Sequence, residues 1–379
     1  MKRWWLLATS VLLAVVLRWA AIQQIDTPRA TEDRSIASHL ADGRGFSFAA
    51  FGYFGPTSIR PPIYPMILAG LGIETRSALW LNTFFASVSV VVAYSVGRAV
   101  FASDASAQMI AAGVAVLPTM LYAATFDQGL PLAILLLLIA VRLSLSERWA
   151  LAIPAGTFAG LAILTESVLI LPILAISLWI ASRRPASALL MLAGIFVLTT
   201  PWLYRNAIVH SQLTGVTNEL WRDAFVGNHP GATGSVHLPM AASATDRLSP
   251  IESDRLRNQP ESARTAIYRG WTLDFVSEQP LAFARLCLIR IVKTLWLDWD
   301  HPQGLNVLNV ASRSILMAGS LVAFGTMIRC RQICGLALVL LIGLTLATAF
   351  TLAEARNSVF VDLGQLLAIG WLIDPRRID

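Results

Sequence analysis

The chain has 379 residues, 56% of them hydrophobic and only 14% charged, with a mean hydropathy of +0.63. A water-soluble domain cannot hide that much apolar surface, because its own exterior must stay wet, whereas lipid can cover it. The formal charge of +6 calls for no nucleic acid, since the arginines gather at the ends of the apolar runs.

The start, Met1-Lys2-Arg3 before the apolar run Trp4 to Leu17, has the outline of a secretory signal. No small-x-small cleavage site follows and Arg18 interrupts the run, so an uncleaved signal anchor is expected. A span of hydrocarbon takes roughly 20 helical residues. On that measure about ten spans are predicted, at 4–22, 77–99, 106–125, 129–145, 149–165, 167–182, 186–204, 309–328, 332–352 and 357–373. With the N-terminus in the cytoplasm, the inside ends carry Lys2 and Arg3, Arg98, Arg142 and Arg148, Arg183 and Arg184, Arg329 and Arg331, and Arg376 and Arg377. The short outer connections, around Asp127, Glu166 and Glu354, are acidic or mixed. The opposite orientation would break the positive-inside rule at nearly every turn.

Two outer segments are long. In the first, 23–76, the sequence predicts a helix over Thr31–Ala41, with Thr31 as N-cap, Glu32 and Asp33 in the first turn, and Ile36, Ala37 and Leu40 turned to the membrane. The second, about 205–304, has balanced charge and no low complexity, which suits a small folded module. Within it, Pro280 to Trp299 sets Phe283, Leu286, Ile289, Val292, Leu295 and Trp296 against Arg285, Arg290 and Lys293. That helical spacing predicts an amphipathic helix lying flat in the headgroup layer. The expected division is thus a membrane module 1–204 containing the first outer loop, a loop module 205–307, and C-terminal membrane helices 308–379. Cys287, Cys330 and Cys334 fit neither a disulfide framework nor a zinc site.

No Walker loop, Rossmann fingerprint, nucleophile elbow or HExxH helix is present. The chemistry-bearing residues are instead expected on one side of the bilayer: Glu32, Asp33, His39, Arg60, Asp127, Glu166, Arg205, Asn206, His210, Asn218, Glu219, Asn228, His229, Arg290, Arg356 and Asp362. A carboxylate there can serve as general base, and an arginine fork can hold a phosphate. Several have a plainer explanation, and Asp362 is the hardest to explain so. Acids at a helix start are favoured by the dipole alone. Arg205 and Asn206 follow Pro201-Trp202, where Trp and Arg are common interfacial anchors. Glu166 fits a solvated hairpin tip. Asp362 lies about five residues inside an apolar run, where an ionisable group faces a cavity or a partner, with Arg356 in reach. His39 and His229 have no companion at metal-ligand spacing.

Taken in order, the segments resemble bacterial family-39-type glycosyltransferases of the GT-C fold, relatives of protein mannosyltransferases and aminoarabinose transferases. The likeness runs through Glu32-Asp33 before Ile36-Ala37, Leu40-Ala41 and Gly43-Arg44-Gly45-Phe46, then Gly55-Pro56-Thr57 and Pro62-Ile63-Tyr64-Pro65. It continues in Leu161-Ala162-Ile163-Leu164-Thr165, Pro201-Trp202-Leu203-Tyr204-Arg205-Asn206, Asn218-Glu219-Leu220-Trp221 and Gly227-Asn228, and returns weakly at Glu354-Ala355-Arg356. Two positions depart from the family pattern, Glu166-Ser167 after Leu-Thr and Asn357 after Arg356.

The resemblance implies an all-α polytopic GT-C bundle in a bacterial inner membrane. It further implies transfer of a sugar from a polyprenyl-phosphate donor to an unnamed acceptor on the outer side. Glu32 becomes the base, Asp33 its neighbour, Arg205, Arg356 and Arg60 the phosphate ligands, and Asn206, His210, Asn218, Glu219, Asn228, Glu166 and Asp362 the cavity lining. Some members of that fold use a divalent cation, and the adjacent acids leave one open. Two other functions compete, a lipid or solute transporter and a non-catalytic assembly partner of the same fold. A transporter would show broken or charged sites near the midplane of several spans.

Overall fold

In the computed structural model, the described residues are all but 1, 27–30, 73, 102, 237–247, 331, 333 and 375–379. The predicted inside charges Arg331, Arg376 and Arg377 lie outside them, as do the side chains of Lys2 and Arg3. The apolar runs fold as helices: α1 Lys2–Gln23, α4 Thr75–Phe101, α5 Asp104–Val116, α6 Pro118–Ala124, α7 Leu130–Ser144, α8 Ala152–Ile163, α9 Ile170–Ala181, α10 Pro185–His210, α15 Val307–Arg329, α16 Gly335–Ala349 and α17 Ser358–Ile373. The first outer segment supplies α2 Glu32–Ala41, the strands β1 Ser47–Ala50 and β2 Tyr53–Pro56, and α3 Ile63–Leu71. The second supplies α11 Leu220–Gly227, α12 Pro250–Leu256, α13 Glu261–Glu278 and α14 Pro280–Leu295.

Four of these helices (α1, α4, α10 and α15) are long and apolar enough to cross a bilayer, and the bent pair α5–α6 makes five. The other predicted spans form shorter helices; α7 and α16 have 15 residues and α17 has 16. At 1.5 Å per residue these measure about 22–24 Å, less than a full hydrocarbon core. The predicted span at 106–125 is bent by 50°. Pro118 has no N–H to donate to Val114, so the helix stops there. Arg18, buried on α1, fills the gap, donating to the carbonyls of Ala115 at 3.0 Å, Val114 at 3.1 Å, Met120 at 3.4 Å and Ala14 at 3.1 Å. Irregular backbone inside an apolar bundle persists only when such partners exist.

Helix α8 crosses α10 at very short range because both present small residues. A Cβ on Gly156 would sit 2.0 Å from the carbonyl oxygen of Met191, and one on Gly194 would sit 2.7 Å from that of Ile153. The main core links α1, α4, α5, α7, α8, α9, α16 and α17, while a small satellite of Phe225, Val226, Leu256, Tyr268 and Leu352 holds the second outer segment.

Several local expectations change. Thr31 precedes α2, but its hydroxyl donates to the carbonyl of Asp127 at 2.6 Å and caps nothing. Ile36 and Ala37 are buried in the core, so that face of α2 meets protein and not lipid. The strands were not expected; they pair antiparallel through a two-residue turn, Phe51 (φ 52°) and Gly52 (φ 78°), of the primed type that matches strand twist. Helix α10 runs six residues beyond its predicted end, so Arg205, Asn206 and His210 belong to it. Amphipathic α14 turns basic residues into the protein: Arg290 and Lys293 are buried, and Leu281, Leu288 and Val292 are exposed.

Candidate active site

The ends that the sequence places outside gather at one end of the bundle around a cavity of about 900 Å³. Its walls are Ile59-Arg60-Pro61, the α8–α9 link at Glu166-Ser167-Val168, residues 212–221, the α13 face with Arg269, and 351–357. A second cavity of about 400 Å³, lined by Tyr122, Lys293, Trp296, His301 and Arg313, shares Glu354 and Arg356 with the first. Those two residues therefore stand between the cavities.

Arg60 owes its position to a clamp just ahead of it. Thr57 donates to Glu261 at 2.5 Å, and the Ser58 N–H donates to the same carboxylate at 3.0 Å. The Ser58 hydroxyl donates to Asn206 Oδ1 at 2.9 Å and lies 2.7 Å from His210 Nε2. Arg205 completes the clamp with bonds to the carbonyls of Thr57 at 2.6 Å and Phe46 at 3.1 Å, while its guanidinium stacks over the rings of Trp202 and Phe46. Arg205, Asn206 and His210 thus hold the first outer loop to α10, and none of them lines either cavity.

The acid opening α2 stands beside the wall. Arg60 donates Nη2 to Glu32 Oε2 at 2.9 Å. The Arg60 guanidinium holds the Glu32 carboxyl down to about 2, against the opposing effect of burial. Burial pushes Asp33 the other way, to about 7, with Arg60 opposing and Glu166 reinforcing the rise. Glu166 is buried on the cavity wall and not a solvated tip, and burial raises its carboxyl despite Arg356 and Arg60. For Arg60 itself, burial works against the charge but Glu219, Glu32, Asp33 and Glu166 together outweigh it, so the guanidinium stays firmly protonated.

Arg356 pairs with Glu354 at 2.7 Å, not with Asp362. The partner of Asp362 is Arg313, with Thr119 donating to its other oxygen, so this buried acid is a strut of the bundle behind the second cavity. Asn228 is another strut: its amide donates to the carbonyls of Ala224 and Phe350 and its oxygen accepts from Arg290. Asn218 and Glu219 do line the cavity. Sequence reasoning missed Arg222, which pairs with Glu219 at 2.5 Å and Asp223 at 3.3 Å, and also Asp223, Glu261 and Arg269. The partners of Glu261 lie across the fold, at Thr57 and Ser58, whereas Arg222 pairs within its own turn, where the i,i+3 spacing to Glu219 was a local signal.

Two sets of arginines contrast in how many donors they use. Arg18, Arg205, Arg290 and Arg313 each make four hydrogen bonds, which use most of the five donors of a guanidinium. Arg60 and Arg356, both on the cavity wall, make one each, and the Nε of Arg60 is buried without a partner. Uncommitted guanidinium donors facing a cavity suit a ligand with several acceptor oxygens. Among the described residues no three His, Cys, Asp or Glu side chains group as a metal ion held by protein ligands alone needs.

No protein-family model matches the chain, and no curated protein sequence does. Solved structures do match. The oligosaccharyltransferase AglB from Archaeoglobus fulgidus, in complex with an inhibitory peptide and a dolichol-phosphate, superposes with a TM-score of 0.56 at 14% identity, over 98% of this chain and 50% of that one. The same transferase in complex with Zn and sulfate gives 0.55 at 14%, over 97% and 48%. ArnT from Cupriavidus metallidurans, bound to undecaprenyl phosphate, gives 0.46 at 14%, over 96% and 76%. The chain spans about half the length of the oligosaccharyltransferase it matches. At this identity the likeness establishes the fold, a GT-C-type membrane bundle.

Proposed function

We propose that the protein transfers a sugar from a polyprenyl-phosphate carrier to an acceptor on the outer face of a bacterial cytoplasmic membrane, with inversion at the anomeric carbon. The observation that carries this reading is the pair of under-bonded arginines, Arg60 and Arg356, on a cavity lined also by Glu166, Glu219 and Glu354, with Glu32 held beside it by Arg60. The shared fold adds support, since AglB, its fold relative, is known in complex with a dolichol-phosphate. On this reading the chain is family-39-like. The shorter helices complete about ten crossings with the N-terminus in the cytoplasm, as the arginine pattern requires.

The physical logic is direct. Nucleotide sugars stay in the cytoplasm, so an outward-facing transferase needs a donor that arrives through the lipid. A prenyl tail enters between helices, and its phosphate halts at interface depth, beside Arg60 and Arg356. Charge grows on that phosphate as the bond to C1 breaks, and fixed guanidinium donors stabilise it more in the transition state than before. Glu32 takes the proton from the acceptor hydroxyl on the opposite side of C1, giving in-line displacement. Arg205 is reassigned from phosphate ligand to clamp, because its donors are already spent on Thr57, Ser58, Asn206 and Phe46.

The test is turnover of a radiolabelled polyprenyl-phosphate sugar in proteoliposomes. Glu32→Gln, Arg60→Gln and Arg356→Gln should each lose at least about 100-fold. Full activity in Glu32→Gln would remove the assigned base, and full activity in both arginine variants would remove the phosphate site.

A further inference from the structure

The Glu32–Arg60 pair puts the assigned base and an assigned phosphate ligand in contact with each other. We infer that this contact masks the base: Arg60 holds the Glu32 carboxylate until a phosphate anion takes the guanidinium. The inference rests on the proposed function of the cavity and adds its regulation.

Four observations carry it. The single hydrogen bond of Arg60 goes to Glu32, at 2.9 Å, and its Nε is buried with no partner. The Arg60 side chain is 14% exposed and that of Glu32 is 38%, so the cation is enclosed by the wall while the carboxylate stays accessible. The backbone carrying Arg60 is fixed by the Thr57–Ser58 clamp before it and by Pro61-Pro62 after it, so only the side chain has to turn. Finally, Glu219, Glu32, Asp33 and Glu166 all face Arg60. Burial raises the carboxyls of two of them, Asp33 and Glu166, which eases the approach of a phosphate to Arg60.

The groups acting on Glu32 are few: Arg60 first, the backbone N–H at the start of α2, and more weakly Arg222. Once a donor phosphate draws Arg60 away, the carboxyl climbs back toward its ordinary value of about 4.3 and becomes a better base. Transfer is then ordered. The donor seats on Arg60, and Glu32 accepts the proton of the acceptor hydroxyl as that oxygen bonds to C1. The C1–O bond breaks with its electron pair going to the phosphate, which leaves on Arg60 as polyprenyl phosphate. Without a donor the acceptor meets only a masked carboxylate.

The experiment uses the full chain in proteoliposomes at pH 6 and a membrane-soluble carbodiimide, which labels protonated carboxyls, with sites read by peptide mass spectrometry. Without lipid phosphate, Asp33 should label and Glu32 should stay dark. Adding polyprenyl phosphate should raise Glu32 labelling at least about tenfold, the effect of one unit of recovered proton affinity, while neutral polyprenol should not. Arg60→Gln should make Glu32 reactive without any lipid, and should that variant fail to fold, the lipid titration of the unaltered chain decides alone. Equal Glu32 labelling with and without polyprenyl phosphate, or an equal effect of polyprenol, overturns the mask. Sugar transfer with no change in labelling sinks the mask and leaves the function standing. A labelling change with no transfer from any lipid-phosphate sugar does the reverse.

Discussion

Arg18 donates to the carbonyl oxygen of Ala115 at 3.0 Å, and that bond joins the first helix to a break that Pro118 opens between α5 and α6. Three more carbonyls converge on the same guanidinium. A buried cation in an apolar bundle is costly unless its partners repay it, and here the freed peptide groups are the partners.

Arg18→Leu is therefore expected to destabilise the bundle by roughly 2–5 kcal/mol, since it strands several buried carbonyls at once. Arg18→Lys should recover only part, because one ammonium cannot span four acceptors. Unfolding in a graded detergent series measures both. Wild-type stability in Arg18→Leu would mean the carbonyls find other partners.

Arg205 and Arg356 should separate stability from turnover. Arg205→Lys loosens the clamp and should lower the melting temperature, with a loss of turnover per folded molecule smaller than that of Arg356→Lys. Arg356→Lys should melt normally and lose about 10–100-fold in turnover, because a point charge cannot replace a fork on a phosphate. Paired thermal and activity measurements decide it; the reverse pattern would return Arg205 to the phosphate site.

Arg313 and Asp362 form a buried ion pair with Thr119 as a further donor. Losing one member leaves an uncompensated charge, so Asp362→Leu is expected to cost about 3–5 kcal/mol, whereas Arg313→Met combined with Asp362→Leu should cost much less. A double-mutant cycle on unfolding free energy shows the coupling. Additive losses would mean the two residues act separately.

Asp33 gives stability a pH dependence of definite sign. Burial raises its carboxyl from about 3.8 to about 7, so the folded chain holds a proton that the unfolded chain releases. Its contribution is complete below the unfolded value and fades as pH rises through about 7, with a slope approaching about 1.4 kcal/mol per unit between the two. Melting temperature should fall from pH 5 to pH 7.5, and Asp33→Asn should flatten that fall. Glu32 runs the other way: held at about 2, its contribution is present above the ordinary carboxyl range and lost only as pH drops toward 2. An unchanged slope in Asp33→Asn would remove Asp33 as the source.

Much of the molecule was legible from local pattern. Apolar runs of helical length fixed the bundle class, and the acidic start of α2 put Glu32 and Asp33 at a helix N-terminus, because periodicity and the helix dipole act within a few residues. The number of spans was less legible. Run length does not reveal where a helix stops, and α8 and α9 end where Glu166 turns back into the wall. The burial of two basic residues of α14 was hidden for a similar reason. Arg290 and Lys293 are polar by composition, yet their carbonyl and carboxylate partners lie inside the protein.

By itself, then, the sequence determined an apolar helical protein and an acid poised at the start of a short helix. Only the tertiary structure decided which arginines are free to work. Arg205 meets Phe46 across 159 positions and Arg313 meets Asp362 across 49, while Arg60 keeps its donors open. Whether a guanidinium is spent or available depends on acceptors brought from elsewhere in the chain, and no local spacing encodes them.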